Sequence, residues 1–373
     1  MKVGELFEIL NKDFFAGVPD SQLKELCNYM MNKEGISKNH IIAANEGNCV
    51  GLAAGHYLAT GEIPVVYMQN SGLGNVVNPV ASLLHPKVYG IPCIFIVGWR
   101  GEPGVHDEPQ HIFQGEITET LIKDLDMEAF VLTKETSVDD VKEAVARFDE
   151  VLAEGRSVAF IVKKGAFEVE NKVAYGNTHT LVREQVIEKI VDVAEKDIIV
   201  STTGKASREL FEIREAKGQG HQQDFLTVGS MGHSSSIAMG IALEKTNSKV
   251  WCIDGDGAAL MHMGAMAVIG TNKPSNMVHI VINNEAHETV GGMPTVAGSV
   301  DLMKIAEGCG YPIQLQVDTE EALVTALQTA KEAKQLVLIE IKCNIESRAD
   351  LGRPTTTAQE NKTNFMEFLK TCN

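Results

Sequence analysis

Short, almost wholly apolar runs rich in Val and Ile recur along the chain, each followed by a polar or glycine-containing turn. Apolar residues at helical spacing come next. Runs of this kind predict parallel strands buried on both faces. In the first half the expected strands are Ile41–Ala44, Pro64–Met68, Ile91–Val97 and Val158–Val162. In the second half they are Ile198–Ser201, the apolar parts of Lys249–Gly257 and Met277–Glu288, and Leu336–Lys342. Between them, Leu23, Leu26, Cys27, Met30 and Met31 predict one helix, with Asp20 or Ser21 placed to cap it. Val141, Val145, Phe148, Val151 and Leu152 predict a second, and Val182, Val186, Ile190 and Val193 a third. The alternation predicts an α/β protein of two doubly wound domains with mostly parallel sheets.

The stretch from 166 to 180 is polar and aperiodic, which sets expected boundaries. A first domain spans 1–168, a linker 169–180, a second domain 181–345, and a polar tail 346–373. The tail carries Arg348 and Arg353 and reads as too polar for a core. At 373 residues with 44% hydrophobic content, two ordinary cores are affordable. A net charge of −17 argues against a nucleic-acid surface. The opening MKVGELFEIL lacks the apolar core of a signal peptide, and no run reaches the roughly 20 apolar residues of a membrane span. Seven dispersed cysteines without a CxxC pair suit reduced thiols in the cytoplasm.

In doubly wound folds, ligands bind outside the carboxyl ends of strands, so the turns there carry the candidate chemistry. KVWCIDGDG ends in Gly255, Asp256 and Gly257, where a carboxylate stands between glycines that let the backbone approach a phosphate. Asn284 follows the next apolar run and can add an amide oxygen, completing a hard oxygen set that suits Mg²⁺. Glu46 opens an Ala- and Gly-rich helical stretch, NEGNCVGLAAG, where a carboxylate also suits the helix dipole. QNSGLGNVVNP, with Asn70 and Ser71, reads as a backbone-rich binding loop, and GWRGEPGVHDEPQH offers Arg100, His106, Asp107 and His111. TTGKASREL, with Gly204 and Lys205, could hold a phosphate at a helix start, although it is not a Walker motif.

GDG, 25 residues, then NN resembles the diphosphate and magnesium motif of thiamine-diphosphate enzymes. By that resemblance Asp256, Asn284 and the carbonyl of Ala286 are the metal ligands, and Gly255, Gly257, Ala258 and Gly204 line the cofactor. Glu46 matches the glutamate that hydrogen-bonds the aminopyrimidine N1′, a role that needs a carboxylic acid with a raised pKa. Met231 in LTVGSMG resembles the apolar wedge that holds the cofactor bent. The order of these features implies a pyrimidine-binding domain followed by a diphosphate-binding domain, with no middle domain. The cofactors implied are thiamine diphosphate and Mg²⁺. The family shares its sites between chains, so a homodimer or higher homo-oligomer is implied.

Within the family, FFAGVPDS, NEGNCVGLAAG, QNSGLGN and GRPTTT resemble the decarboxylases of 2-oxo acids that bear a second strong acid on C3, a phosphonate or a sulfonate. The resemblance implies a cofactor ylide that attacks the ketone, loss of CO₂, and an enamine that is protonated to release an aldehyde. The chain departs from the pyruvate decarboxylase pattern. It has no adjacent His pair, and Val290 stands where a catalytic glutamate is expected. That leaves His111, His106, His287 or a water to move the proton. Asn70, Ser71, Arg100 and Lys205 are candidates for the substrate's acid group. A carboligase resembling acetolactate synthase would need a middle domain that is missing, and a binding subunit would need neither Glu46 nor the Asp256–Asn284 pair. A nicotinamide dehydrogenase is disfavoured because no GxGxxG follows a strand.

Overall fold

The computed structural model describes residues 1–372. These form two compact units, Met1–Ala174 and Tyr175–Asn373, each built on its own sheet. In the first unit the elements run α1 (Val3–Leu10), β1 (Phe15–Gly17), α2 (Lys24–Lys33), β2 (His40–Ile42), α3 (Glu46–Thr60), β3 (Val65–Gln69) and α4 (Leu73–Pro79). They continue with β4 (Ile94–Gly98), α5 (Pro109–Asp124), β5 (Glu128–Leu132), α6 (Val138–Ala153) and β6 (Val158–Val162). The sheet has the order β2-β1-β3-β4-β6-β5, and every pairing is parallel. β4 and β6 are buried along their whole length, as their unbroken apolar sequences require.

The second unit repeats the plan with α7 (Arg183–Ala194), β7 (Ile198–Ser201), α8 (Lys205–Ala216), β8 (Asp224–Leu226), α9 (Ser234–Glu244) and β9 (Val250–Gly255). After α10 (Asp256–Met261), α11 (Gly264–Asn272) and β10 (Met277–Asn283) comes a small hairpin of β11 (Ala286–His287) and β12 (Met293–Pro294). The unit closes with α12 (Leu302–Cys309), β13 (Ile313–Val317), α13 (Glu320–Glu332), β14 (Val337–Lys342) and α14 (Ala358–Thr371). Its six-stranded sheet, β13-β14-β10-β9-β7-β8, is again parallel throughout. Its two faces are covered by separate apolar clusters, one around Trp251, Ile280 and Ile339 and one around Cys252, Val281 and Leu338.

In both sheets the winding direction reverses beside the first strand, between β1 and β3 and between β7 and β9. Such switch points open a crevice at the carboxyl end of the strands. Three segments differ from their sequence reading. QNSGLGNVVNP is a 3₁₀ turn (Asn70–Gly72) running into α4 rather than an open loop. Asp20 is not the cap of α2, whose N-cap is Leu23. The residues read as a polar tail include α14, which a Thr357–Glu360 capping box starts and which buries Phe365 against the second unit's core. Only one side of that helix is apolar, which is why its average composition concealed it.

Candidate functional site

In the first unit, Asn45 accepts a hydrogen bond from Gly47 N at 2.7 Å and so starts α3 at Glu46, directly after β2. Glu46 is only 5% exposed. Burial raises its pKa, and the one side-chain hydrogen bond opposing that shift comes from Asn75 of α4, whose Nδ2 donates to Oε2 at 2.7 Å. Gly72 closes the pocket on the other side. A Cβ there would lie 2.5 Å from Glu46 Oε1, so only glycine allows the turn to approach the carboxyl. Asn75 is a residue that the sequence reading passed over; its signal lay in the amide-rich run after β3.

The ends of β1, β3 and β4 bring together a second cluster. Asp20 is fully buried, with Oδ1 accepting from Gln69 Nε2 at 2.6 Å and Oδ2 without a partner among the described residues. Burial pushes its carboxyl up to about 6. Arg100 donates to Asp107 through Nε and Nη2 at 2.8 and 2.5 Å, and to Ser21 Oγ at 3.0 Å. Against the push of burial, these bonds hold the Asp107 carboxyl well below the usual carboxylate range. Asn70 spends its amide on the same loop, donating to the Arg100 carbonyl at 2.8 Å and to Thr118 Oγ1 at 2.9 Å while accepting from Arg100 N at 3.2 Å. His111 borders the cluster; burial, then Arg100, lowers its pKa, and its Nδ1 is buried without a partner among the described residues. Ser71 is exposed and bonds Gln69 Oε1 at 2.7 Å, and His106 is exposed.

In the second unit, the register that sets Gly255 beside Ile282 puts Asp256 and Asn284 at the same end of neighbouring strands. Asp256 begins α10, is 4% exposed, and accepts from Thr295 Oγ1 at 2.5 Å. Burial lifts its pKa to about 6, and the charge that bears on it most is a second carboxylate, Glu285. Gly257 leaves a cradle in which an added Cβ would meet Met231 Cε at 3.2 Å and His287 Cε1 at 3.5 Å. Met231 reaches there from a turn in which Ser230 and Gly232 both take positive φ. Ala258 is buried behind the turn, and Gly204, at φ +93°, precedes the first residue of α8 and faces Thr289. Asn284 is 6% exposed and donates through Nδ2 to Glu288 Oε2 at 3.0 Å, while its Oδ1 accepts from Ala286 N at 3.2 Å. His287 is pushed down to about 4 by desolvation and is therefore neutral at pH 7.

This donor set fits Mg²⁺. A buried carboxylate calls for a cation, and the amide oxygen of Asn284, just past the end of the next strand, adds a hard donor. Beneath it, Asp254 accepts from Gly255 N at 3.0 Å and from Ser234 Oγ at 3.2 Å, and His279 joins Asp254 to Tyr311 OH. This fully buried network fixes the base of the turn, and neither Asp254 nor His279 was singled out from sequence. Lys205 donates to Glu288 Oε1 at 2.8 Å and to Ser347 Oγ at 2.7 Å.

Two family models match. The thiamine pyrophosphate enzyme N-terminal TPP binding domain covers residues 2–122, and the C-terminal TPP binding domain covers 202–341. A phosphonopyruvate decarboxylase of Streptomyces viridochromogenes is 34% identical across 95% of this chain and 91% of its own length. One from Streptomyces hygroscopicus is 34% identical across 95% and 89%. A sulfopyruvate decarboxylase of Methanosarcina acetivorans is 26% identical across 91% and 90%.

Proposed function

Because the chain belongs to the thiamine pyrophosphate enzymes, on the phosphonopyruvate decarboxylase branch, we propose that it converts phosphonopyruvate to phosphonoacetaldehyde and CO₂ without net oxidation. The same reading makes it a carboxy-lyase of phosphonate biosynthesis, of the 2-aminoethylphosphonate type. Among the site's features, the buried carboxyl of Glu46 supports it most directly. Few structural roles need a carboxylic acid kept at 5% exposure with a single amide partner.

Asp256 Oδ, Asn284 Oδ1 and the Ala286 carbonyl would hold Mg²⁺ and through it the diphosphate, with the Gly255–Ala258 turn and Gly204 against the phosphates. When bound, thiamine diphosphate supplies an electron sink next to the carbon that loses CO₂. Glu46 keeps Oε2 on Asn75 and so has Oε1 to carry a proton for the pyrimidine ring. Met231, packed over Gly257, would support the cofactor. The carbon that loses CO₂ must gain one proton, and the first unit offers Asp20, with its pKa near 6, and neutral His111. Asp107 takes two of the five N–H donors of Arg100 and Ser21 a third, so a phosphonate would share a guanidinium whose charge is already paired. A homodimer or a multiple of it, resident in the cytoplasm, completes the reading; the seven unpaired cysteines suit that reducing compartment. Among the described residues no helix is long and apolar enough to cross a membrane.

The sulfopyruvate decarboxylase relative favours a second reading, in which the C3 acid is a sulfonate. CO₂ release from phosphonopyruvate, sulfopyruvate and pyruvate, with thiamine diphosphate and Mg²⁺ supplied or withheld, separates the two. Cofactor-dependent release that favours phosphonopyruvate is expected. Release from sulfopyruvate alone would transfer the mechanism to that substrate, and release from none would overturn both.

A further inference from the structure

Glu288 stands in the turn Glu288–Val290, four residues beyond Asn284, and three side chains converge on its carboxylate. Asn284 Nδ2 donates to Oε2 at 3.0 Å, Lys205 Nζ donates to Oε1 at 2.8 Å, and Arg183 Nη1 also bonds Oε2. Arg183 is braced from behind by Glu209, with Nε and Nη2 each 2.7 Å from a carboxylate oxygen. Lys205 is braced by Ser347. Stability alone is a weak reason for this arrangement, because buried ion pairs commonly add little over apolar packing. The Arg183–Glu209 pair is already charge-balanced without Glu288.

An asparagine side chain ends in two groups of nearly equal size, and its partners decide which end faces a site. A hard cation is bound by the carbonyl oxygen and repelled by the amide NH₂. An ionised glutamate only accepts hydrogen bonds, so it can be met only by the NH₂ end of Asn284. Turning the amide over would set carbonyl oxygen against carboxylate in a buried place, which is strongly unfavourable. The oxygen is thereby directed away from Glu288, where its recorded partner is the long 3.2 Å contact from Ala286 N.

We propose that Glu288 is a positioning residue for the magnesium site: clamped between Arg183 and Lys205, it locks Asn284 with its carbonyl oxygen offered to the cation. The inference rests on reading Asp256 and Asn284 as Mg²⁺ ligands. It gives Lys205 a place behind Glu288 and Asn284 rather than at the substrate.

Glu288→Asp keeps a charge between the two cations but withdraws the carboxylate from Asn284 by one methylene. The Mg²⁺ dissociation constant of the full chain, measured at saturating thiamine diphosphate by titration calorimetry, should rise roughly 10–100-fold, the usual loss for an outer-shell partner. The Tm of the cofactor-free protein should stay within about 4 °C. Unchanged Mg²⁺ affinity overturns the proposal, as does a fall in Tm with affinity preserved. Glu288→Gln supplies a second arm, because a glutamine both donates and accepts and cannot select one end of Asn284. It should weaken Mg²⁺ in the natural background but not alongside Asn284→Asp, where both ends are oxygen and nothing needs orienting. Equal weakening in both backgrounds overturns the proposal. Natural protein that binds no Mg²⁺ with thiamine diphosphate would refute the ligand assignment itself, a result distinct from indifferent variants.

Discussion

Each unit buries a carboxylate at the first position of a helix that leaves the carboxyl end of a parallel strand, yet the two are finished differently. Around Glu46 there is one amide donor, a glycine wall and, at the neighbouring strand end, a second buried acid, Asp20, with one oxygen unpartnered among the described residues. Around Asp256 there is a hydroxyl donor, a second carboxylate, and the amide of Asn284 on the next strand. Desolvation raises all three acids. On the proposed function the neutral acid is the working form in the first unit, where the described surroundings supply amide donors and no further carboxylate oxygens for a cation. In the second the surroundings supply further oxygens, which a proton does not need and a divalent cation does. On the proposed reading, upward shifts of the same cause thus serve a proton carrier in one place and a metal site in the other, and the neighbouring donors distinguish the two.

That contrast can be broken experimentally. Glu46→Gln keeps the shape but removes the acidic proton, so decarboxylation should fall roughly 10²–10⁴-fold, the range for a lost general acid–base group. CO₂ release within a few-fold of the natural enzyme would remove Glu46 from the chemistry. Asp256→Ala should leave the Glu46 pocket intact and weaken Mg²⁺ and thiamine diphosphate together, by more than the 10–100-fold typical of an outer-shell loss. Calorimetry showing either ligand bound normally would separate Asp256 from the metal.

Asp20 sharpens the first half of the comparison. Burial raises its folded pKa to about 6, above the ordinary aspartate value of 3.8, so the folded state holds the proton more tightly than the unfolded chain. The group therefore costs most stability above pH 6, where the buried carboxylate is ionised, and the cost disappears as pH falls below about 4. Integrated over that shift the cost is roughly 3 kcal/mol. Asp20→Asn should accordingly raise Tm at pH 7.5 and leave it unchanged at pH 4; thermal melts with the same offset at both pH values would contradict the assignment. The smallest effect is expected from Thr295→Val, which removes the hydroxyl donor of Asp256. A loss of about 1 kcal/mol, or roughly fivefold in Mg²⁺ affinity, is expected by calorimetry.

The strand ends were legible in the sequence because a parallel strand buried on both faces must be apolar throughout, and the polar residue that follows it has one place to be. That logic reached Glu46, Asp256 and Asn284. It failed for short strands with mixed surroundings, such as β5 and β13, most of whose residues are only partly buried and which the apolar runs left unassigned. It also failed for partners brought in from elsewhere. Asn75 meets Glu46 because a glycine-rich run coils into α4, and Glu288 meets Arg183 across 105 residues of chain. Arg100 and Lys205, cations with obvious appeal for an acidic substrate, are held by carboxylates, Asp107 from the same loop and Glu288 from 83 residues further along the chain.

One contact of α14 has a consequence for solubility. β8 is an outer strand of its sheet, and an open outer strand is a template for association with other chains. Asn361 occupies that position: its Oδ1 accepts from Leu226 N at 3.1 Å, and its Nδ2 donates to the Asp224 carbonyl at 2.8 Å. One side-chain amide thus imitates the donor and acceptor of a seventh strand while offering no further edge. Removing residues 358–371 would strip that guard and uncover Phe365's site, and the shortened protein should aggregate rather than merely lose stability.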